Sequence, residues 1–441
     1  MTYLFVTLFL ALISYIVYFN VFRAKTIVNS PYNVRQDAFA DRIIRGSITD
    51  RDGEVLAETQ VGEDGTENRV YPYGAAFAHV VGYSNETAGK SGLESIENSE
   101  LLTSNAFFAE KFLNEFKDEK NHGDTVVTTL DAGLQQAAYN ALGENRGAIM
   151  VMEASTGKIL AMVSGPSYDP NTIAQDWEAL NADSTYSPLL NRVTQGAYAP
   201  GSTFKIITMS AGLSEGVVSP NDSFFCPGYK IVEDRRIHCH KRTGHGAENF
   251  VQGAQNSCNP VFIEVGLRLG VEKFCDYFRN FGLMEKTGID LPGEASTIMH
   301  KEENIGEVEL ATMAFGQSFQ ITPIRLAATV SALVNGGKMV TPHVATDVLD
   351  EEGNVVKHLN FPEKEGVLSE ETSRTVREIL ESVVSEGSGK NAYLEGYSIG
   401  GKTATSQTLP RSANRYISSF LGFTPAEHPT VLGLCIIRNP Q

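Results

Sequence analysis

Apolar positions fall into three regimes along the chain. From Tyr3 to Phe22 they are almost continuous and free of charge, long enough to cross a bilayer as one helix. After a polar link from Asn29 to Asp41, apolar and polar residues alternate from Arg45 to Ala57 around Asp52-Gly53, which predicts a β-hairpin. Gly-rich turns and one amphipathic helix, over about 101–116, are expected next. Asp124–Leu130 reads as a strand, and Asp131 as the N-cap of a helix running to about Ala141.

The third regime begins near Arg146. Ala148–Met152 and Lys158–Val163 are apolar strands joined by a turn at Ser155-Thr156-Gly157. Pro200 and Gly201 then break the chain. Ser202 opens a segment with helical spacing at Phe204, Ile207 and Ala211. Tyr229–Val232 and Arg236–His238 form a hairpin turning at Glu233-Asp234. A mostly helical region follows from Pro260 to Asn335. A later helix, about 370–386, has Ser369 as N-cap and Gly387 as terminator. Strands over Tyr397–Gln407, Tyr416–Phe423 and Thr430–Ile437 close the chain. Strands at both ends with helices between them predict an antiparallel sheet flanked by helices, α+β in class. The expected limits are 1–22 for a membrane anchor, 23–145 for a small α+β module and 146–441 for the large domain.

The net charge of −17, with no basic stripe, argues against nucleic-acid binding. Phe22-Arg23-Ala24-Lys25 is a poor cleavage site, so the apolar span reads as an uncleaved anchor. Arg23 and Lys25 follow the span and nothing basic precedes it, which by itself would put the body in the cytoplasm. The five cysteines, Cys226, Cys239, Cys258, Cys275 and Cys435, are odd in number and contain no C-x-x-C, against a dense disulfide framework. Cys226 and Cys239 flank the predicted hairpin and could face each other across it, which suits a disulfide outside the cell. The competing arrangement is a metal site built from Cys226, Cys239, His238, His240 and His245. Its spacing matches no standard zinc pattern, and no metal is expected.

Candidate chemistry centres on Ser202-Thr203-Phe204-Lys205. At i and i+3 on a helical turn, an amine stands beside a hydroxyl near the positive end of a helix dipole. Ser202 is a candidate acylating nucleophile, and Lys205 its base once burial and a second cation lower its pKa. Ser155-Thr156-Gly157-Lys158 has the same spacing but reads as a turn. Ser257-Cys258-Asn259 supplies a hydroxyl that can relay a proton to a leaving amine and an amide that can hold the lysine and a substrate. Ser219-Pro220-Asn221 and Ser412-Ala413-Asn414 match the same pattern. Lys402-Thr403-Ala404-Thr405, after Gly400-Gly401, places a lysine and hydroxyls on a strand edge, suited to a free carboxylate. The backbone N–H groups of Thr405 and Ser202 could form an oxyanion hole, and Lys402 would be the second cation beside Lys205.

In this order, Ser-x-x-Lys, Ser-x-Asn and Lys-Thr-x resemble the signature of the serine penicillin-recognising enzymes. Arg45-Gly46-Ser47-Ile48-Thr49-Asp50-Arg51-Asp52-Gly53 is similar to the arm motif of class B, monofunctional penicillin-binding proteins. Thr287-Gly288-Ile289-Asp290-Leu291-Pro292-Gly293-Glu294 and Gly316-Gln317-Ser318 through Thr322-Pro323 are similar to their transpeptidase domains. The link at Asn29–Arg35 and Asn191-Arg192 resemble the penicillin-binding protein A branch. This resemblance covers nearly the whole chain. It implies a penicillin-recognising fold and a D,D-transpeptidase that cross-links peptidoglycan stem peptides ending in D-Ala-D-Ala through a Ser202 acyl-enzyme. β-Lactams would acylate the same serine. It also implies a single-pass membrane protein with its catalytic domain outside, a role in cell shape or division, a polytopic glycosyltransferase partner, and no cofactor. The external substrate overrides the charge rule. A class A enzyme would need a glycosyltransferase domain for which residues 23–145 offer neither length nor motif.

Two departures stand out. The third motif carries Ala404 where the family has glycine, while a literal Lys286-Thr287-Gly288 lies too close to Ser257 and within a separate family stretch. The methyl of Ala404, set where ligand passes close to the backbone, predicts slower acylation or a narrower ligand range. The chain also stops at Arg438-Asn439-Pro440-Gln441, where the resemblance implies a further helix on the sheet. The alternatives are a D,D-carboxypeptidase, a β-lactamase, for which no deacylating Glu can be assigned, and a non-catalytic cell-wall scaffold.

Overall fold

In the computed structural model the described residues are 2–19, 43–106, 120–408, 412 and 415–440. They group into two units with limits different from those read off the sequence. The smaller unit comprises Met1–Thr128, Tyr168–Ala179 and Ala345–Leu359; the larger comprises Thr129–Ser167, Leu180–Val344 and Asn360–Gln441. Thr2–Tyr18 is a helix whose apolar side chains are exposed. Among the described residues no helix is long and apolar enough to cross a membrane. Residues 20–22 of the apolar span, the link at 29–41 and most of the helix expected over 101–116 lie outside the described residues.

In the smaller unit a six-stranded sheet has the order Val355–His358, Ala345–Leu349, Thr125–Thr128, Ile48–Thr49, Val55–Val61, Glu67–Val70. The hairpin at Asp52-Gly53 forms because Asp50 Oδ1 accepts the N–H groups of Asp52 and Glu54, at 2.8 and 2.9 Å, and Gly53 takes φ 92°. Ile48, Val126 and Val348, partners across neighbouring strands, are buried together with Leu56 and Ala57. Glu94, fully buried, is gripped by two arginines: Arg45 Nε donates to its Oε2 at 2.6 Å and Arg69 Nε to its Oε1 at 2.7 Å. Arg45, from the arm stretch, is therefore a structural residue of this unit.

The larger unit opens with helix α1 (Ala132–Leu142), capped by Asp131 accepting from the Leu134 N–H. Strands β1 (Gly147–Glu153) and β2 (Ile159–Gly165) pair antiparallel across the Ser155–Gly157 turn. A 3-10 turn, Gly201–Phe204, leads into α2 (Lys205–Ser214). Short strands follow: β3 (Ser223–Cys226), β4 (Tyr229–Val232), β5 (Arg235–His238) and β6 (Gly246–Asn249), with β4 paired to β5 and β3 to β6. Next come α3 (Phe250–Gln255), α4 (Asn259–Asn280, broken at Gly270), α5 (Glu307–Met313), α6 (Pro323–Val334) and α7 (Glu370–Ser385). Strands β7 (Gly400–Gln407), β8 (Tyr416–Thr424) and β9 (Val431–Arg438) complete an antiparallel sheet of order β2-β1-β9-β8-β7.

Two helices form the centre. Every residue of α6 is buried, as are the first eight of α2, the all-round apolar character that a surface helix lacks. Phe204, fully buried, anchors the 3-10 turn by packing on Phe274, Phe278 and Phe319, with ring centroids 6.2, 5.3 and 4.7 Å away. That cluster holds the start of α2 alongside the edge strand β7.

Candidate active site

The turn that carries Ser202 fits against β7 only because small residues line the contact. Gly201 has φ 58°, and its N–H donates to Gly316 O at 2.9 Å. A Cβ at 201 would stand 2.2 Å from Ser406 Oγ, and one at 316 would stand 1.9 Å from Gly201 O. With both positions bare, half-buried Ser202 reaches a cavity of about 720 Å³, which Ser257, Asn259, Thr403, Ala404 and Thr405 also line.

Lys205 lies beneath that floor, 1% exposed. Its Nζ donates to Ser257 O at 2.7 Å and to Asn259 Oδ1 at 2.8 Å, and stands 3.2 Å from Ser257 Oγ. Phe262 faces the same nitrogen, its ring centroid 5.3 Å away. Burial pushes the Lys205 pKa down to about 8, more than the nearby Cys258, Cys239 and Glu248 raise it. In the neutral amine the third position is a lone pair, free to take a proton from a hydroxyl. Ser257 reaches Lys205 with its own carbonyl because its backbone sits at φ 51°, in the left-handed region.

Lys402 is likewise 1% exposed; its Nζ donates to Thr403 O at 3.2 Å and lies 3.5 Å from Ser388 Oγ. Burial, and then the charge of Lys205, hold its pKa well below the ordinary lysine value. Of the two causes expected for Lys205, burial and a second cation, burial is the one that lowers its pKa; the charge of the pair is felt at Lys402 instead. Ala404 follows two residues on in the same strand. Its methyl lies on the buried face of β7 with Lys402 and Ser406, 3.3 Å from where a Cβ on Gly201 would stand. It packs under the Ser202 turn as well as bordering the cavity.

The duplicate motifs fall elsewhere. Ser155-Thr156-Gly157-Lys158 is the β1–β2 turn, with Gly157 at φ 84° and Thr156 Oγ1 donating to Glu153 Oε2 at 2.8 Å. Lys286 is exposed, and the Thr287 N–H next to it donates to buried Glu294 Oε1 at 2.8 Å. Ser219 Oγ donates to Asp222 Oδ1 at 2.6 Å in a surface turn, and residues 413 and 414 lie outside the described residues.

Several cavity residues carried no sequence signal. Ser388, beside Lys402, follows the terminator of α7 and belongs to no motif. Arg236, His238 and Arg242, from the hairpin and the loop after it, line the rim, two of them as cations. Cys226 and Cys239, which could have paired as a disulfide, are free thiols. His238 does not join the two cysteines; its carbonyl accepts from Asn259 Nδ2 at 3.2 Å. Instead Cys226, Cys239, His245 and Cys258 bring their ligand atoms within 4.8 Å of one another. Cys258, the middle residue of Ser-x-Asn, was not among the metal-ligand candidates.

Residues 147–441 match the family model of the penicillin-binding protein transpeptidase domain, and residues 45–126 match that of the penicillin-binding protein A dimerisation domain. The chain belongs to the penicillin-binding protein transpeptidase family. It is 38% identical over 397 residues to the stage V sporulation protein D of Bacillus subtilis, a match covering 85% of this chain and 60% of that protein. The D,D-transpeptidase domain of a peptidoglycan glycosyltransferase from Eggerthella lenta is 30% identical and superposes with a TM-score of 0.82, covering 91% of this chain and 94% of that one. The ceftriaxone acyl-enzyme complex of penicillin-binding protein A from M. tuberculosis gives a TM-score of 0.83 at 25% identity, covering 92% and 94%.

Proposed function

We propose that the chain is a peptidoglycan D,D-transpeptidase acting through an acyl-enzyme on Ser202. The observation that carries this reading is the placement of Lys205. Its buried amine, with a pKa of about 8, is held by the Ser-x-Asn loop under a cavity that Ser202 enters. Ser202 Oγ attacks the carbonyl between the two terminal D-alanines of a stem peptide while neutral Lys205 takes its proton. Ser257 relays a proton to the departing D-alanine amine, and Asn259 orients Lys205 and the substrate amide. The N–H groups of Ser202 and Thr405 bind the oxyanion. Lys402, Thr403 and Thr405 hold the terminal carboxylate, with Ala404 packing against the turn. An amine from a second stem peptide then attacks the ester and restores the serine. A β-lactam presents the same carbonyl on a ring that stays attached, so it leaves Ser202 blocked.

The uncharged stretch from Tyr3 to Phe22 serves in this reading as a membrane anchor, with the body outside, where peptidoglycan is built. The limits 1–22, 23–145 and 146–441 then separate anchor, pedestal and catalytic domain. The acceptor strand comes from a polytopic membrane glycosyltransferase. Intact-mass spectrometry after exposure to penicillin tests the central step: the wild type gains the mass of one penicillin and Ser202→Ala gains none. An unmodified, folded wild type would overturn it. Carbonate washing of membranes tests the anchor, which extraction into the soluble fraction would exclude.

A further inference from the structure

We propose that Cys226, Cys239, His245 and Cys258 form a zinc site, and that the metal fastens the Ser257–Asn259 loop to the hairpin at the cavity rim. This goes beyond the transpeptidase reading and does not depend on it. The four residues come from four separate places: the end of β3, the residue after β5, the loop before β6 and the link between α3 and α4. All four side chains are withdrawn from solvent, at 1% exposure for Cys226 and Cys239, none for Cys258 and 6% for the His245 side chain. Their ligand atoms all lie within 4.8 Å of one another. His245 Nδ1 stands 3.8 Å from Cys239 Sγ. Bonds of about 2.3 Å to sulfur and about 2.0–2.1 Å to nitrogen at a tetrahedral angle require roughly 3.5 Å between those two atoms. That pair needs only a few tenths of an ångström of closure, and the 4.8 Å limit on the whole cluster leaves at most about 1 Å for any two sulfurs, which the same bonds set roughly 3.8 Å apart.

The backbone is shaped for that approach. Gly228 and Gly244, at φ 96° and 80°, let the two ligand-bearing loops touch: a Cβ on Gly244 would be 2.2 Å from Cys226 O, and one on Gly228 would be 2.1 Å from Arg242 O. The Cys239 N–H closes the turn by donating to Gly228 O at 2.9 Å. A separate observation points to a cation. Glu248 is buried, and one of its oxygens accepts from Asn256 Nδ2 at 3.0 Å. The other, Oε1, has no hydrogen-bond partner among the described residues and lies 3.9 Å from His245 Nδ1. Because Nδ1 is also the nitrogen turned to Cys239, this carboxylate is not an outer hydrogen-bond partner of the imidazole; it is a buried acidic oxygen at the edge of the cluster that a bound cation would offset. A disulfide fits less well, since pairing two of the three thiols strands the third beside the imidazole. Three cysteines and one histidine are a standard zinc set. Each thiol gives up its proton on binding, so loading the site releases protons to solvent.

Cys258 sits between the two residues that hold Lys205 Nζ, so the metal would fix the loop in which Ser257 keeps its left-handed backbone. The test uses the full chain, purified under reducing conditions without chelator. Elemental analysis should find about one zinc per chain. Cobalt substituted for it should give thiolate charge-transfer bands in the near ultraviolet and tetrahedral d–d absorption in the visible. Cys226→Ser and Cys258→Ser should lose metal and bands, whereas Cys275→Ser, Cys435→Ser and Ser202→Ala keep both. Should the ligand variants fail to fold, zinc release on mercurial titration of the wild-type thiols gives the same answer. A metal-free wild type, a peptide map with Cys226 and Cys239 joined, or full metal content in folded Cys258→Ser overturns the site. Zinc removal should slow acylation by penicillin at least about tenfold; an unchanged rate in the stripped, folded protein overturns the fastening role.

Discussion

Lys205 Nζ and the carbonyl oxygen of Ser257 are 2.7 Å apart, although the two residues are separated by 52 positions and Ser257 must adopt φ 51° to present that oxygen. This contact joins the turn of the nucleophile to the loop that would handle the leaving group. The amine it holds is buried, and burial sets its basicity.

A pH profile follows from that burial. The Lys205 pKa falls from the ordinary 10.5 to about 8, and in the proposed mechanism the neutral amine is the active form. Acylation should therefore be full above about pH 8 and fall about tenfold per unit below it, as the proton is regained. Lys205→Arg offers no neutral form in this range and should lose at least about a thousandfold in rate, with the fold intact. Acylation by a fluorescent penicillin, timed from pH 6 to 9.5, measures this. A flat profile, or an inflection near pH 6, would rule out Lys205 as the base.

The second prediction concerns the seat of the nucleophile. Gly316→Ala places a methyl 1.9 Å from Gly201 O, at φ 85°, so the Ser202 turn must move. Acylation should drop at least about a hundredfold, since small displacements of reacting groups cost that much. Gly216→Ala is the control: φ is 66° but nothing lies within 4 Å of the new Cβ. It should cost about 1–2 kcal/mol from backbone strain alone and leave acylation unchanged. Equal acylation losses in the two variants would mean that the glycine at 316 matters only for stability.

Local chemistry made much of this fold readable. Asp131 and Ser369 cap their helices through side-chain oxygens as their types and positions suggest. The last three apolar runs became the adjacent strands β7, β8 and β9. What stayed hidden depends on distant pairings. Ala345–Leu349 joins Thr125–Thr128 in one sheet, which no local pattern announces and which shifts the boundary between the units. The cysteine cluster relies on β3 pairing with β6 and on two left-handed glycines, so its spacing in sequence resembles no zinc motif. The three site motifs were legible as residue types in order. The burial of both lysines, which decides their basicity, was not.

Ala404→Gly separates two views of the third motif. If the methyl impeded ligand, glycine would speed acylation. In the structure it fills space between β7 and Gly201. Removing it should leave the acylation rate within about threefold of wild type. It should also destabilise the chain by roughly 1–2 kcal/mol, from one lost methyl and a glycine in a strand. Urea denaturation alongside acylation rates checks both; a tenfold gain in rate would restore the steric view.

In the smaller unit, Glu94→Gln should be among the most damaging single changes. Burial alone would raise the Glu94 pKa, but the charges of Arg45 and Arg69 and their hydrogen bonds outweigh it and leave it below the ordinary 4.5. A folded pKa below the unfolded one means that the stabilisation is complete above about pH 4.5 and fades as acid protonates the folded carboxyl. Glutamine removes the charge while two guanidinium groups stay in place, the situation in which breaking a buried pair costs about 3–5 kcal/mol. Denaturant melts of wild type and Glu94→Gln at pH 7 should differ by that amount. The gap should narrow as pH drops below about 4.5, because only the wild type has this carboxylate to lose. A difference under about 1 kcal/mol at pH 7, or one that widens in acid, would show that the two arginines find other partners and that Glu94 is not what holds the arm in place.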